Sequence, residues 1–201
     1  MAATEGVTLG LIVEGHGEEQ AAPILVRRIA RASSFHASIR CRTWRVKKSA
    51  FVQAGEFERV IEAITRIIGR SRPILVLLDA DDDCPRDLAD DLKTRCHLAH
   101  PDVLMSVVIA KKEYEAWFLA AANSLAGKRG LAERVDPPDD PESIRGAKEW
   151  LTTRMPPDQS YSATRHQAAY SELMDLSEAR RARSFRKFEK EVGSLLGWKS
   201  E

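Results

Sequence analysis

Three short apolar runs punctuate the chain, and between them apolar residues recur at helical spacing. Val7 to Val13 reads Val-Thr-Leu-Gly-Leu-Ile-Val and stops abruptly at Glu14-Gly15-His16-Gly17. A run so continuous predicts a strand buried on both faces, with glycines turning the chain at its end. A helix is expected from about Glu18 to Arg31, with Pro23 shifting its start or bending its first turns. Ile39 to Lys47 mixes Trp, Thr and Val with arginines, as a partly exposed strand would. Phe57, Val60, Ile61, Ile64, Ile67 and Ile68 recur at helical spacing, so Glu56 to Ile68 reads as an amphipathic helix. Pro73 opens a second buried strand, Ile74 to Leu78, which ends at Asp79-Ala80-Asp81-Asp82-Asp83. Pro85 suits the first turn of a helix reaching His100. Val103 to Ala110 is the third apolar strand, followed by Lys111-Lys112 and a helix carrying Tyr114, Trp117, Phe118 and Ala121.

Strands alternating with helices imply an α/β fold, a mostly parallel sheet with helices on both faces. After Leu125 the pattern changes. Gly127 to Pro141 is rich in Gly, Pro and Asp and reads as a loop. Helical segments then follow at Ile144 to Thr153, Ala163 to Met174 and Ser184 to Leu196, with Ser184 as N-cap and Gly197 as stop. Residues 1–125 therefore read as an α/β core. Residues 126–201 read as a loop and helical extension packed on it, the whole forming one structural unit.

Composition adds little beyond this. With 201 residues and 43% hydrophobic side chains the chain can bury a real core. A formal net charge of +1 means that any attraction to phosphate has to come from local clustering. The three cysteines form no CxxC pair and the N-terminus has no signal pattern, which points to a reducing, cytoplasmic setting away from membranes.

The chemistry concentrates at two strand ends. In a parallel sheet these ends share one edge, where ligands usually bind. Glu14 and Asp79 both sit there, and neighbouring strands lie roughly 4.8 Å apart. Asp79 and Asp81, two residues apart in an extended chain, are expected to point the same way. Carboxylates so close repel one another unless a cation or a proton intervenes. Their hard oxygens suit Mg²⁺ or Mn²⁺ better than zinc. The plainer alternative is that Asp82 or Asp83 caps the following helix and Glu14 is solvated. An EF-hand does not fit Asp79-x-Asp81-x-Asp83, because the run follows a strand and Cys84-Pro85 replaces the required glycine. Cys84, Cys96, His97 and His100 match no tight zinc spacing.

Leu11-Ile12-Val13-Glu14-Gly15-His16-Gly17-Glu18 resembles the first motif of the Toprim (topoisomerase–primase) superfamily, and Leu75 to Asp81 resembles its DxD motif. The likeness covers about Val7 to Leu125. Glu113 to Leu119 and Arg183 to Arg186 are similar to a family of small bacterial Toprim-like proteins related to nuclease domains of the overcoming-lysogenization-defect type. That resemblance implies a metal-dependent nuclease with one or two ions. Glu14 would be a metal ligand and general acid/base, Asp79 and Asp81 metal ligands, and Glu18 the holder of a second metal. It further implies a setting in phage defence or repair and a separate partner ATPase, since no Gly-Lys-Ser/Thr follows Gly15-His16-Gly17.

Other residues join as candidates. Lys111, after the third apolar strand, is expected to neutralise a phosphate, and Glu113 and Asp83 are additional site candidates. Of Glu113 and Glu115, helical geometry admits only one to the site, Glu113 being nearer the strand end. Gln20 to Gly55 contains no Asp or Glu but holds eight basic residues. Among them Arg40, Arg42, Arg45, Lys47 and Lys48 form a track for a nucleic-acid backbone. The rival reading is a non-catalytic interaction or regulatory module of the same fold. A phosphate-receiver domain, the third reading, fits less well because Glu rather than Asp ends the first strand.

Overall fold

The computed structural model describes residues 6–53 and 55–198. In chain order the elements are β1 (Val7–Val13), α1 (Glu18–Ala32), β2 (Ile39–Arg45), α2 (Lys48–Val52), α3 (Glu56–Ile68), β3 (Ile74–Asp79), α4 (Pro85–Ala99) and β4 (Met105–Ala110). Helices α5 (Ala116–Ala120), α6 (Ala122–Leu125), α7 (Ala147–Thr152), α8 (Ala163–Leu173), α9 (Leu176–Ala179) and α10 (Arg183–Leu196) complete the chain. The protein is α/β. Its four strands are all parallel, in the order β2-β1-β3-β4, so β1 and β3 hold the centre.

Strand alternation sorts the apolar residues between two cores. Leu9, Leu11 and Val13 of β1, Leu75 and Leu77 of β3 and Val108 of β4 face α1 and the C-terminal helices. Ile12, Ile74, Val76, Leu78, Val107 and Ile109 face the opposite way, against Phe51, Phe57, Ile61 and Ile64 of α2 and α3 and Leu92 of α4. Continuous apolar runs were required because both faces are covered. The same alternation puts Asp79 on the side of Leu75 and Leu77, towards α1 and the extension.

The extension belongs to the first core. Tyr170 of α8 and Phe185, Phe188 and Val192 of α10 are fully buried in one cluster with Leu25 and Trp117. Trp117 is its hub, with ring centroids of Tyr114, Phe185 and Phe188 at 4.7, 5.3 and 5.2 Å. These contacts are the tilted and edge-on aromatic geometries that add to simple area burial.

Several sequence expectations are corrected. Ser184 is not the N-cap of α10; Ala182 holds that position, and the Ser184 N–H donates to the Glu142 carboxylate at 2.7 Å. The Ser184 hydroxyl is already engaged, accepting the Trp117 indole N–H at 2.8 Å. α7 starts only at Ala147, because Gly146 is left-handed (φ 67°) and breaks the expected helix from Ile144. The expected helix after β4 likewise starts late, leaving residues 113–115 in a turn. α2 and α9, of five and four residues, are too short to leave a periodic signal. By contrast α1 runs through Pro23, and Gly197 ends α10 in the left-handed region as expected.

The Ser184 contact gives a direct stability prediction. Ser184→Ala leaves the buried indole N–H without its acceptor, at a cost of about 1–3 kcal/mol. Urea unfolding checks this, and a change under about 0.5 kcal/mol, the size of an indifferent surface substitution, contradicts it.

Candidate functional site

Because β1 and β3 are neighbours running the same way, Glu14 and Asp79 emerge at one edge of the sheet. A cavity of about 250 Å³ opens there, lined by Glu14, Gly15, Glu18, Asp79, Asp81, Lys148, Ala163 and Gln167. The ends of β1 and β3, the turn after β3 and the start of α1 supply the acids, and the extension supplies the lysine, the amide and one wall.

Each acid is held differently. Glu18, at the start of α1, accepts the backbone N–H groups of Glu14 and Gly15 at 3.1 and 3.0 Å, which pins the turn after β1. Asp79 accepts the Tyr114 N–H at 2.8 Å. Glu14 Oε2 is buried with no hydrogen-bond partner. Asp81 departs from expectation. β3 ends at Asp79 and Asp81 is left-handed (φ 50°), so the extended-chain rule does not govern its direction. Its carboxylate meets the Lys48 ammonium at 2.7 Å, and Asp83 meets the same ammonium at 3.1 Å. Asp82 pairs instead with Arg145. α4 begins after Cys84 with no side-chain cap, so neither Asp82 nor Asp83 caps it.

Behind the cavity lies a buried polar network. Glu115 is fully buried and accepts from the Tyr161 hydroxyl and the Gln167 amide, both at 3.0 Å. Lys148 lies 3.0 Å from Glu113 and 3.6 Å from Glu115. Both glutamates therefore lie beside Lys148, where only one was expected near the site, but neither lines the cavity itself. Because residues 113–115 form a turn, the helical direction rule does not apply to them.

Burial dominates the electrostatics. It pushes Glu14, Glu18 and Glu115 above the usual carboxylate range. Asp79 is raised further, by burial first and then by the charges of Glu18 and Glu115. Burial works against the Lys148 charge, yet Glu115 and Glu113 outweigh it and raise its pKa above the ordinary lysine value. Four acids and one lysine line the cavity, so negative charge is in excess.

Lys111 is exposed and does not line the cavity. It follows β4, which β3 separates from β1, and the lysine the cavity holds is Lys148. Glu113 lines a second cavity of about 250 Å³ with Asp81, Asp82, Lys112, Arg145 and Gly146. Arg40, Arg42, Arg45 and Lys47 are exposed on or just after the edge strand β2, while Lys48 turns into the acidic turn. Among the described residues, no three His, Cys, Asp or Glu side chains are gathered tightly enough to form a ready-made metal cage. Sequence reasoning missed Lys148, Gln167 and Tyr161. No local signal marks them, since only long-range packing brings α7 and α8 to the strand edge.

Gly17 explains how α8 comes so close. A Cβ there would lie 2.0 Å from Gln167 Oε1 and 2.7 Å from the Ala163 carbonyl oxygen. Backbone cannot yield as a side chain can, so Gly17→Ala should cost about 1–3 kcal/mol, the usual range for overpacking. It should also loosen Gln167, read as faster hydrogen exchange in α8. Unchanged stability and exchange would show that α8 does not depend on this approach.

Fold and site together define an α/β protein with an acidic cavity at the carboxyl edge of a parallel sheet, closed by a C-terminal helical extension. The chain belongs to the family described as a domain of unknown function (DUF4276), whose model matches residues 13–193. The match takes in the acids of both strand ends and the extension through most of α10. Neither a curated protein nor a solved structure matches the chain.

Proposed function

We propose that the edge cavity binds Mg²⁺ or Mn²⁺ in the manner of a Toprim centre, and that the protein is a metal-dependent phosphodiesterase acting on nucleic acid. One observation carries this reading. Glu14, Glu18, Asp79 and Asp81 line a single cavity, and a buried Glu14 oxygen has no partner. The donor set is all oxygen and over-supplied with negative charge, so a hard divalent cation fits it. Glu14, Asp79 and Asp81 would hold the ion, with Glu18 available to a second. When bound, it would supply positive charge to the phosphate and lower the pKa of a water.

The chain's own residues supply the rest. Glu14, whose Oε2 has no hydrogen-bond partner, would leave one carboxylate oxygen to accept the proton of the attacking water. Lys148 stays charged inside the cavity and so can stabilise negative charge on a phosphate oxygen. Arg40 and Arg42, exposed on one face of β2, and Lys47 just after it offer positive charge for the backbone of a bound strand, while Arg45 lies on the other face, 4.0 Å from Glu19. No helix among the described residues is long and apolar enough to cross a membrane. A cytoplasmic role in phage defence or repair, with a separate ATPase, completes the proposal by analogy with the resemblance described above.

A second reading is favoured by one feature. Asp81 is engaged by Lys48 and, among the described residues, no three acids are pre-assembled, as in a module that binds without turnover. Incubation with single- and double-stranded DNA and RNA, in Mg²⁺, Mn²⁺ or EDTA, separates the two. Cleavage in either metal and none in EDTA supports the enzyme. Intact substrates under all conditions, together with retained nucleic-acid binding, support the module.

A further inference from the structure

We infer that Lys48 is a built-in competitor for the divalent cation, occupying the oxygens of the β3–α4 turn until an ion displaces it. This rests on the metal reading of the cavity. The Lys48 ammonium lies 2.7 Å from Asp81 Oδ2, 3.1 Å from Asp83 Oδ2 and 3.2 Å from the Ala80 carbonyl oxygen. The ammonium, a compact point charge, thus satisfies the Asp81 carboxylate in place of an ion in the edge cavity.

The consequence falls on Asp81. Its carboxylate lines the cavity of Glu14 and Asp79, but its closest cation is Lys48. Its backbone is fixed from the other side, where its N–H donates to the Lys112 carbonyl at 2.9 Å. Asp81 therefore has a held backbone and a side chain anchored by Lys48. With Lys48 in place the three acids of the two strand ends are not gathered into a cage. With Lys48 displaced, Asp81 is released towards Glu14 and Asp79. The freed ammonium then lies at the end of β2 beside Lys47, where the proposed substrate backbone runs. Metal entry would thus free a positive charge for a phosphate, coupling the two binding events.

The test is Mn²⁺ titration followed by the free-ion electron paramagnetic resonance signal, with no substrate and no turnover. Lys48→Met and Lys48→Gln, which remove the charge in two ways, should each bind Mn²⁺ on the order of tenfold more tightly than wild type, about 1.4 kcal/mol. Lys48→Arg keeps the charge and should stay near wild type. Equal or weaker binding in both neutral variants overturns the inference, because Lys48 would then be indifferent to the ion or would position Asp81 for it. Asp79→Ala separates this failure from that of the metal reading. Wild-type binding lost in Asp79→Ala keeps the cavity as the metal site even if Lys48 is inert. No binding by wild type removes both.

Discussion

Under the proposed function, Asp79→Asn should abolish metal-dependent cleavage and, in the absence of metal, make the protein more stable. The two effects have one cause. Asp79 is half-buried at the end of β3 and feels the charges of Glu18 and Glu115, so desolvation first and those charges second penalise its charged form in the folded state. A bound cation would relieve that penalty, and the carboxamide relieves it without one. Loss of a ligand at a phosphoryl-transfer metal removes several kcal/mol of transition-state stabilisation, so cleavage should fall at least about 10³-fold.

The stability effect has a definite pH signature. Asp79, Glu14, Glu18 and Glu115 all have folded pKa values raised above their unfolded ones. Such groups bind protons more tightly when folded, so they destabilise the fold above their folded pKa and cease to do so below the unfolded one. In EDTA the melting temperature of wild type should therefore rise as pH falls from neutrality towards about 5. His166, held below the usual imidazole value by burial, opposes this trend over the same range, and Glu58, Glu62, Glu191 and Asp175, whose pKa values are depressed, oppose it at lower pH. Asp79→Asn should start higher at pH 7, by about 2–4 °C if roughly 1 kcal/mol is recovered, and its slope should be shallower. Adding Mg²⁺ should raise wild type and leave the variant unmoved. A variant that melts lower than wild type in EDTA at pH 7 refutes the electrostatic account of the cavity.

Lys148→Met should impair both folding and cleavage, and a second substitution should separate the two. Without the ammonium, fully buried Glu115 keeps Tyr161 and Gln167 but loses the one cation paired with it among the described residues. Breaking a fully buried pair costs about 3–5 kcal/mol. Lys148 is 43% exposed, so solvent screening reduces this to roughly 1–3 kcal/mol. The loss should shrink as pH falls and Glu115 takes up a proton. Lys148→Met with Glu115→Gln removes both charges and should recover most of the stability. It should not recover cleavage, which loses about 10²-fold or more with the cavity's lysine. Recovery of both in the double variant would make Lys148 a counter-ion for Glu115 and nothing more.

What the sequence disclosed depended on how locally each feature is encoded. β1, β3 and β4 were legible because a strand covered on both faces needs an unbroken apolar run. α3 was legible because one face packs on the sheet and the other meets water. The strand ends followed directly, and with them Glu14, Glu18 and Asp79 at one edge. Asp81 was legible as a residue of that edge but not in its direction, which a left-handed backbone past the end of β3 sets. Lys148 and Gln167 were not legible at all. Each sits in a short helix of the extension and acquires its place only when α7 and α8 pack against the turn after β1 and the start of α5. Lys111, adjacent in sequence to a strand end, lies outside the cavity because β3 separates β4 from β1.

Crystals soaked in Mn²⁺ and measured at its absorption edge test the central claim most directly. An anomalous peak is predicted in the edge cavity, within roughly 2.0–2.3 Å of carboxylate oxygens of Glu14 and Asp79, with Asp81 turned towards it. Peaks confined to surface carboxylates, with Glu14 and Asp79 unliganded at saturating Mn²⁺, would contradict the metal centre and every function built on it.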